Sequence, residues 1–532
     1  MSSSSRFLAR FFSSSSTSTQ TLTLTPPPQF NLSTITDLAN LRQWPKLRSH
    51  LHSLLSNPQT LPLSVPSFFH SLSSSFLPRS SQSIVADILI LSLLSASDTA
   101  AAVDAFFRSG HYRYKLSTFS LNPLLSSLIK THHLNLAQSV FNQMLTSRKI
   151  APNSITFNTM INGLCKSGKL TKAEDLVKDM RAWGVSPNVV TYNTLIDGYC
   201  KRGKMYRADG LVKEMVGFGI LPNSVTFNVL IDGYCKDGNL KGGLKFFEEM
   251  KRQGVEPSVV TYNCLVSGFC GEGRVEEAVE MVREMERSNL VPNVVSFNGI
   301  VNGFCKKGMM VEAIRVLDEM LEKGLVPNVV TYNTLVDGHC RMGKMEDAIS
   351  LKGLMMERGI SPNISTYNCL ILGFCAKVDM KGATEILDEM GERGIKADIV
   401  TYNTLIGALC KEGEMGKAVK LLDEMCDLSV EPSHVTYNTL MDGFCKKGNL
   451  RAALNMRVRM ERGRKRANVV TYNVLIKCLC EKRKMDEANG LLNEMLEKGL
   501  VPNNVTYDII KDGMVEKGFV PDIDGHLSNS AS

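Results

Sequence analysis

Residues 189–203 read VVTYNTLIDGYCKRG, and residues 329–343 read VVTYNTLVDGHCRMG, a near-identical copy. The three residues Thr-Tyr/Phe-Asn, with Ser once in place of Thr, return every 35 residues. A chain of 532 residues exceeds what one hydrophobic core usually supports, so an array of repeats explains its length. The ten copies of the motif begin at Thr156, Thr191, Thr226, Thr261, Ser296, Thr331, Thr366, Thr401, Thr436 and Thr471.

Each repeat is predicted to fold as two short helices. In repeat 189–223, Thr191 is predicted to cap a first helix over residues 192–201, after which a glycine interrupts the pattern. A second helix is predicted over residues 205–217, where apolar residues follow the spacing of one helical stripe, and Pro222 keeps the next residues out of helix. One helix pair cannot bury its apolar stripe alone. Successive pairs are therefore predicted to stack into an all-α solenoid.

The repeats divide the chain into segments with different expected structures. Ten regular repeats follow two less regular copies, and the array ends in a truncated one. The predicted segments are a disordered organellar transit peptide (1–36), an N-terminal helical cap region (37–82), a degenerate repeat (83–117), a looser repeat (118–153), ten regular repeats (154–503), a truncated repeat (504–522) and a disordered tail (523–532).

The first 36 residues have the composition of an organellar targeting sequence. They contain no Asp or Glu, are crowded with Ser and Thr, and carry Arg6 and Arg10. Arg10-Phe11-Phe12 before Ser13 resembles a mitochondrial presequence cleavage site. We therefore expect import into mitochondria, with the chloroplast as the alternative.

Composition and motifs argue against catalysis. The net charge of +8 is modest, and no apolar run is long enough to predict a membrane-spanning helix. Ten of the 14 cysteines fall at one position of the repeat and none forms a C-x-x-C pair, so they are predicted to fill helix interfaces and not to bind metal. The G-x-x-x-x-G-K strings lack the Ser or Thr of a phosphate-binding loop. We expect no enzyme activity, no cofactor and no small-molecule substrate.

The repeat resembles that of the pentatricopeptide repeat (PPR) family of plant organellar RNA-binding proteins. The resemblance rests on the 35-residue period, the V-V-T-Y-N-T-L-I-D-G-x-C-K-x-G-K string, E-M near the end of each repeat and G-x-x-P-N at its close. Uniform repeat length is similar to that of the pure (P-type) subfamily. The resemblance implies a right-handed superhelical α-solenoid of stacked helix-turn-helix repeats that binds single-stranded organellar RNA, one base per repeat.

In that family the second residue of each repeat wedges between bases. A helix places its second and fifth residues on one face, so both side chains are expected to point into the same groove. In the repeat that begins at residue 364, Ser365 replaces the apolar residue and is expected to hold its base more weakly. The predicted wedges are Ile155, Val190, Val225, Val260, Val295, Val330, Val400, Val435 and Val470.

The resemblance further implies that the fifth residue of each repeat recognises the base edge, assisted by the closing residue. An Asn amide both donates and accepts hydrogen bonds, and unpaired RNA bases expose their edges. The fifth residues are Asn122, Asn158, Asn193, Asn228, Asn263, Asn298, Asn333, Asn368, Asn403, Asn438 and Asn473. The closing residues, in the same order, are Asn153, Asn188, Asn223, Ser258, Asn293, Asn328, Asn363, Asp398, Ser433, Asn468 and Asn503.

In the family's code, Asn with Asn favours either pyrimidine (Y), Asn with Ser favours C, and Asn with Asp favours U. The eleven pairs therefore predict Y-Y-Y-C-Y-Y-Y-U-C-Y-Y from 5′ to 3′. Cations at the end of the first helices are predicted to contact phosphates in the same groove. These cations are Lys130, Lys166, Lys201, Lys236, Lys306, Arg341, Lys411 and Lys446.

Two classes of function compete. The first is sequence-selective RNA binding in organellar post-transcriptional metabolism, meaning processing, stabilisation, splicing or translation, with RNA-processing proteins as possible partners and no insertion into a membrane. The second is a protein-binding helical-repeat scaffold. A peptide groove would vary with the chemistry of the peptide, whereas the same amide recurs here in every repeat, which suits a repeating polymer.

Overall fold

The computed structural model describes residues 32–56, 65–146 and 150–515, and every regular element within these ranges is an α-helix. The predicted cleavage site after Phe12 and the predicted tail lie outside these ranges. The helices are Ser33–Asn40, Trp44–Ser56, Val65–Ser73, Arg79–Ser95, Thr99–His111, Thr118–Lys130, Leu134–Leu145, Ser154–Lys166, Leu170–Ala182, Val189–Cys200, Met205–Gly217, Ser224–Lys236, Leu240–Arg252, Val259–Gly271, Val275–Arg287, Val294–Lys306, Met310–Glu322, Val329–Arg341, Met345–Glu357, Ile364–Ala376, Met380–Glu392, Ile399–Glu412, Met415–Asp427, His434–Lys446, Leu450–Arg462, Val469–Glu481, Met485–Glu497 and Asn504–Val515.

The predicted helical hairpin is confirmed, with one correction to its start. In repeat 189–223 the second helix is Met205–Gly217, as predicted, but the first is Val189–Cys200 and begins three residues before the predicted start. Its N-cap is Asn188, whose side-chain oxygen accepts the Thr191 backbone N–H at 3.1 Å, while the Thr191 hydroxyl accepts the Asn188 N–H at 3.1 Å. Thr191 is thus the third residue of the helix, paired reciprocally with the cap.

Glycines with left-handed backbone conformations end the second helices. Gly219 follows Met205–Gly217 with a φ of 72°, a conformation that costs glycine nothing because it has no Cβ. Ser429 and Arg464 hold the same place in other repeats with φ values of 59° and 61°, so the turn is kept even where a side chain must adopt a disfavoured conformation. The turn geometry therefore belongs to the repeat and not to one residue type.

Two periodic series of residues form the core. The aromatic residue after the third-position Thr or Ser is buried in each regular repeat, as with the fully buried Tyr192. The methionine of each second helix is fully buried, as predicted for core packing. These methionines are Met180, Met215, Met250, Met285, Met320, Met355, Met390, Met425, Met460 and Met495.

The cysteine of one repeat packs against a glycine of the next. A Cβ placed on Gly198 would lie 2.8 Å from the Cys165 sulfur, and one on Gly303 would lie 2.5 Å from the Cys270 sulfur. Both sulfurs belong to buried residues, so the cysteines fill the helix interface as predicted.

The residues that the structure describes form two compact bodies, divided between Gly233 and Tyr234. In the N-terminal body, the helices Thr118–Lys130, Ser154–Lys166 and Val189–Cys200 pack in sequence against one another, and each packs against the second helix of its own repeat. In the C-terminal body the first helices from Val259–Gly271 onward repeat this arrangement. Among the described residues, no helix combines the length and apolarity that crossing a bilayer requires.

Candidate nucleic-acid interface

The second residue of each regular repeat has an exposed side chain. The nine predicted wedges are 51–61% exposed, although they lie beside fully buried core residues such as Thr156 and Tyr192. Ser365 is exposed at the same position. Phe119 (69% exposed) and Val505 (54% exposed) extend the series at both ends. The predictions missed these two residues, although each is the second residue of its own repeat.

The fifth residues lie one helical turn from the second residues, on the same face of the first helix. Most of these asparagines are half-buried, and Asn228 is among them. Asn438 and Asn473 lie deeper and are only 9% and 7% exposed. The structure therefore brings together an exposed apolar side chain and a half-sheltered amide in repeat after repeat.

The fifth and closing residues contact each other directly. In eight repeats the fifth-residue amide nitrogen donates a hydrogen bond to the side-chain oxygen of the closing residue, over 3.2–3.5 Å. The bonded pairs are Asn122–Asn153, Asn158–Asn188, Asn193–Asn223, Asn263–Asn293, Asn298–Asn328, Asn333–Asn363, Asn368–Asp398 and Asn473–Asn503.

Each closing residue is also the N-cap of the next first helix. The Asn328 side-chain oxygen accepts the backbone N–H groups of Val330 and Thr331 at 3.0 and 3.1 Å. Ser258 and Ser433 cap their helices through the hydroxyl. The cap points the amide oxygen of an Asn toward the helix, so its NH2 group is left to bond elsewhere.

Asp398 is the one acidic closing residue. Burial alone would raise the pKa of Asp398, but hydrogen bonds from the Thr401 backbone N–H, the Asn368 amide, the Thr401 hydroxyl and the Val400 N–H together hold that pKa below its ordinary value. The side chain is therefore a carboxylate at neutral pH. A carboxylate only accepts hydrogen bonds, so the closing residue of repeat 364–398 differs in its hydrogen-bonding chemistry from those of its neighbours.

The third residue of the following repeat completes the cluster. Its hydroxyl donates to the oxygen of the preceding fifth residue at 2.6–2.9 Å. The bonds run from Thr156 to Asn122, Thr191 to Asn158, Thr226 to Asn193, Ser296 to Asn263, Thr331 to Asn298, Thr366 to Asn333, Thr401 to Asn368, Thr436 to Asn403, Thr471 to Asn438 and Thr506 to Asn473. The sequence showed this position only as a capping residue.

The eight predicted phosphate contacts are all exposed, but they are not equivalent. Lys201, Arg341 and Lys446 each form an ion pair with an aspartate one turn earlier, at 2.6–2.8 Å. Lys130, Lys166, Lys306 and Lys411 have Ser, Asn, Asn and Gly at that place, and Lys236 has Asp232. The aspartates lie on the same helix face as the fifth residues. The first helices thus carry two kinds of cation at their ends, those with an aspartate one turn earlier and those without.

Burial disfavours the thiolate form of the interface cysteines. Burial raises the pKa of Cys165 and Cys305 to about 12 and that of Cys270 to about 11. Within the described ranges, no group of three or more His, Cys, Asp or Glu side chains is placed to hold a metal ion.

Comparison with known proteins identifies the family. The model of the PPR repeat family matches residues 116–166, 152–201, 187–236, 222–271, 257–306, 292–341, 327–376, 362–411, 397–446 and 467–523, and a second PPR repeat model matches residues 435–464. These matches cover well over half of the 532 residues. The chain belongs to the PPR repeat family.

Individual relatives match over short stretches. The mitochondrial pentatricopeptide repeat-containing protein At2g27800 of Arabidopsis thaliana is 35% identical over 66 residues, which are 12% of this chain and 15% of that protein. The chloroplastic protein At3g49170 of the same plant is 37% identical over 103 residues, 19% of this chain and 12% of that protein. The matches thus span less than a sixth of these relatives.

Solved structures of the same family are also similar. The crystal structure of maize PPR10 matches over 100% of this chain and 98% of the PPR10 chain, with 19% sequence identity and a TM-score of 0.38. PPR10 in complex with an 18-nucleotide psaJ RNA element is 20% identical, covers 92% and 84% respectively, and has a TM-score of 0.34.

Proposed function

We propose that this protein binds single-stranded, pyrimidine-rich RNA, one base per repeat, through the second, fifth and closing residues. The observation that carries the proposal is the recurring cluster of an exposed apolar side chain beside two hydrogen-bonded polar side chains. A polymer whose chemistry repeats at each residue is the ligand that such a repeating surface fits. Membership of the PPR repeat family brings the same expectation.

The amide N–H groups left over in the Asn–Asn pairs can donate to either pyrimidine. In repeat 294–328, the Asn328 oxygen is held by the helix cap and the Asn298 oxygen accepts the Thr331 hydroxyl, so amide N–H groups remain to face a base. Cytosine offers O2 and N3 as acceptors, and uracil offers O2 and O4. Both pyrimidines satisfy such donors, which gives the Asn–Asn repeats no strong choice between C and U.

The three closing residues that are not Asn are proposed to select between C and U. The Asp398 carboxylate can accept the N3–H of uracil, whereas N3 of cytosine is itself an acceptor and would face the negative charge unfavourably. The hydroxyls of Ser258 and Ser433 can donate to N3 of cytosine. The proposed order from 5′ to 3′ is therefore Y-Y-Y-C-Y-Y-Y-U-C-Y-Y.

Affinity comes from the remaining contacts. The exposed second residues insert between bases, and burial of their apolar surface there is favourable. The cations at the ends of the first helices contact phosphates, which makes binding dependent on salt. Because an ordered RNA strand loses conformational freedom at every nucleotide, the whole array contributes more than any single repeat.

The place of action is proposed to be an organelle, the mitochondrion by its N-terminal sequence and the chloroplast as the alternative. Relatives with matching segments carry both designations in their names. We propose a role in RNA processing, stabilisation, splicing or translation as a non-catalytic clamp that shields its RNA or recruits other proteins.

Two measurements test the proposal. Purified protein is titrated at physiological salt with an 11-nucleotide RNA of the proposed order, with its purine counterpart and with the DNA version. Crosslinking in isolated organelles then identifies the protected RNA. We expect preferential binding of the pyrimidine RNA and a pyrimidine-rich footprint. A purine-rich footprint would refute the base assignment, and capture of proteins without RNA would favour the scaffold alternative.

A further inference from the structure

We infer that in ten repeats the third residue is a positioning residue for base selection, because its hydroxyl fixes the orientation of the preceding repeat's fifth-residue amide. The inference rests on the proposed function and adds to it a determinant of specificity that touches no nucleotide. Its basis is the row of bonds between Thr or Ser hydroxyls and Asn oxygens, at 2.6–2.9 Å.

The hydroxyl of each third residue has one preferred hydrogen-bond acceptor. In repeat 329–363, the Thr331 oxygen accepts the Asn328 backbone N–H at 3.2 Å as part of the helix cap. Its hydrogen can go to the Asn298 oxygen at 2.7 Å or to the Asn328 side-chain oxygen at 3.3 Å. The shorter contact is the stronger one, so the Asn298 oxygen is held toward the protein.

The closing residue also opposes a flip of the amide, through a longer contact. The Asn328 oxygen is held by two backbone N–H groups of the next helix and also accepts the Asn298 amide nitrogen at 3.5 Å. A flipped Asn298 would place its oxygen against that oxygen, with no hydrogen between them. The helix cap and the hydroxyl therefore act together to leave an N–H donor of Asn298 toward the groove.

The hydroxyl is well placed for this role because water cannot compete with it. The third residues from Thr156 to Thr506 are fully buried, while the amides they contact are mostly half-buried. Ser296 replaces Thr and makes the same bond to Asn263 at 2.6 Å, so the hydroxyl and not the methyl group is the shared feature. Removal of the hydroxyl would free the amide to present either donor or acceptor to a base.

The experiment compares Thr331→Val, which keeps the shape without the hydroxyl, with Thr331→Ser, which copies the native residue of the neighbouring repeat. The full chain is titrated with the RNA UUUCUUUUCUU and with versions carrying each base at the sixth position, which repeat 294–328 faces. For Thr331→Val we expect the preference for pyrimidine over purine at that position to fall by roughly five- to tenfold. Thr331→Ser should keep it.

The fifth nucleotide serves as a reference within the same complex. It faces repeat 259–293, whose Asn263 is held by Ser296, so its selectivity should be unchanged in Thr331→Val and lost in Ser296→Ala. Thermal unfolding of each variant separates a change in stability from a change in selectivity. If Thr331→Val and Ser296→Ala both kept the wild-type base preference, or if each lost it equally at the fifth and sixth nucleotides, the inference would be overturned while the proposed function would stand. Failure of the wild-type chain to prefer pyrimidines would overturn the proposed function itself.

Discussion

Ser120 donates its hydroxyl hydrogen to the carboxylate of Asp87, and this contact joins the same two positions that a hydroxyl and an Asn occupy in the later repeats. Asp87 is the fifth residue of the degenerate repeat 83–117, and its carboxylate also accepts the Ser117 backbone N–H at 3.1 Å. The polar cluster thus reaches the edge of the array. An acid there has no N–H to offer a base, and Asp87 is only 8% exposed.

This buried acid predicts a pH-dependent stability. Burial raises the pKa of Asp87 above 3.8, although hydrogen bonds from Ser120 and Ser117 oppose the rise. Above 3.8 the folded chain therefore keeps a proton that the unfolded chain loses, so stability falls as pH rises through the raised pKa. Asp87→Asn keeps the accepting oxygen. Its unfolding midpoint should exceed that of the wild type by a margin that grows as pH rises above about 4 and levels off once the pH passes the raised pKa, and the exposed control Asp175→Asn should show no such gain.

A reciprocal exchange of closing residues tests the base assignment. Asn363→Asp gives repeat 329–363 the pair found in repeat 364–398, and Asp398→Asn does the reverse. We expect the first variant to gain a preference for U over C at the seventh nucleotide and the second to lose it at the eighth, each by roughly tenfold. Both residues remain good helix caps, so unfolding midpoints should change little. Unchanged preferences at both nucleotides would contradict the assignment.

The exposed Ser365 predicts a gain of affinity. Ser365→Val restores the apolar side chain present at this place in the neighbouring repeats, and its burial against a base is expected to add about 1 kcal/mol, or roughly fivefold in affinity. Ser365→Thr has the shape of Val with a hydroxyl in place of one methyl group, so it should gain less. Binding is measured by titration with the pyrimidine RNA. Equal affinity of all three chains would show that this side chain does not meet a base.

The two kinds of cation predict different responses to salt. If all eight contact phosphate, the log–log slope of affinity against salt is roughly −5 to −6, and each lost contact removes about 0.7. Lys306→Gln should show this loss. Lys201→Gln should show less, because Asp197 already pairs with Lys201 at 2.6 Å, and Asp197→Asn should tighten binding. Equal effects of the two lysine changes would contradict the distinction.

The cysteine–glycine interface predicts opposite effects of the same substitution. In Gly303→Ala the new Cβ would lie 2.5 Å from the Cys270 sulfur and 3.0 Å from a Val275 methyl group, an overlap expected to cost about 1–3 kcal/mol. In the control Gly407→Ala the new Cβ would lie 3.9 Å from a Thr439 methyl carbon, an ordinary contact, so the higher helix propensity of Ala should stabilise the chain by about 1 kcal/mol. Urea unfolding midpoints should therefore move in opposite directions.

Much of this structure could be predicted because each feature of the sequence recurs in ten regular repeats. The second helix of repeat 189–223 lies where its apolar spacing and its flanking glycines predict it. The start of the first helix does not, because Asn188 and Thr191 are both good capping residues and only the reciprocal hydrogen bonds decide which one is the N-cap.

The polar cluster shows what the sequence leaves open. The 35-residue period shows that Asn298 and Asn328 occupy the same repeat positions as the other pairs. It does not show that the two side chains form a hydrogen bond, or that the Thr331 hydroxyl donates to Asn298. These contacts join residues 30 and 33 positions apart and depend on how adjacent first helices stack. Likewise, the cations form one series by position, and the structure shows which of them are already neutralised by a neighbouring aspartate.

The closing residue is a helix cap and, as we propose, also a base-reading residue, and this combination restricts how such a protein can acquire a new target. Because Asn188 and its equivalents cap the following helix, any replacement must preserve the helix cap as well as alter the proposed contact with RNA. Apart from glycine, residues without a side-chain acceptor lose about 0.5–2 kcal/mol at each cap, and several such changes in one array would add up to a folding defect. Redesign of the target is thereby limited to a small set of capping residues, namely Asn, Asp, Ser, Thr and Gly, three of which this chain already uses.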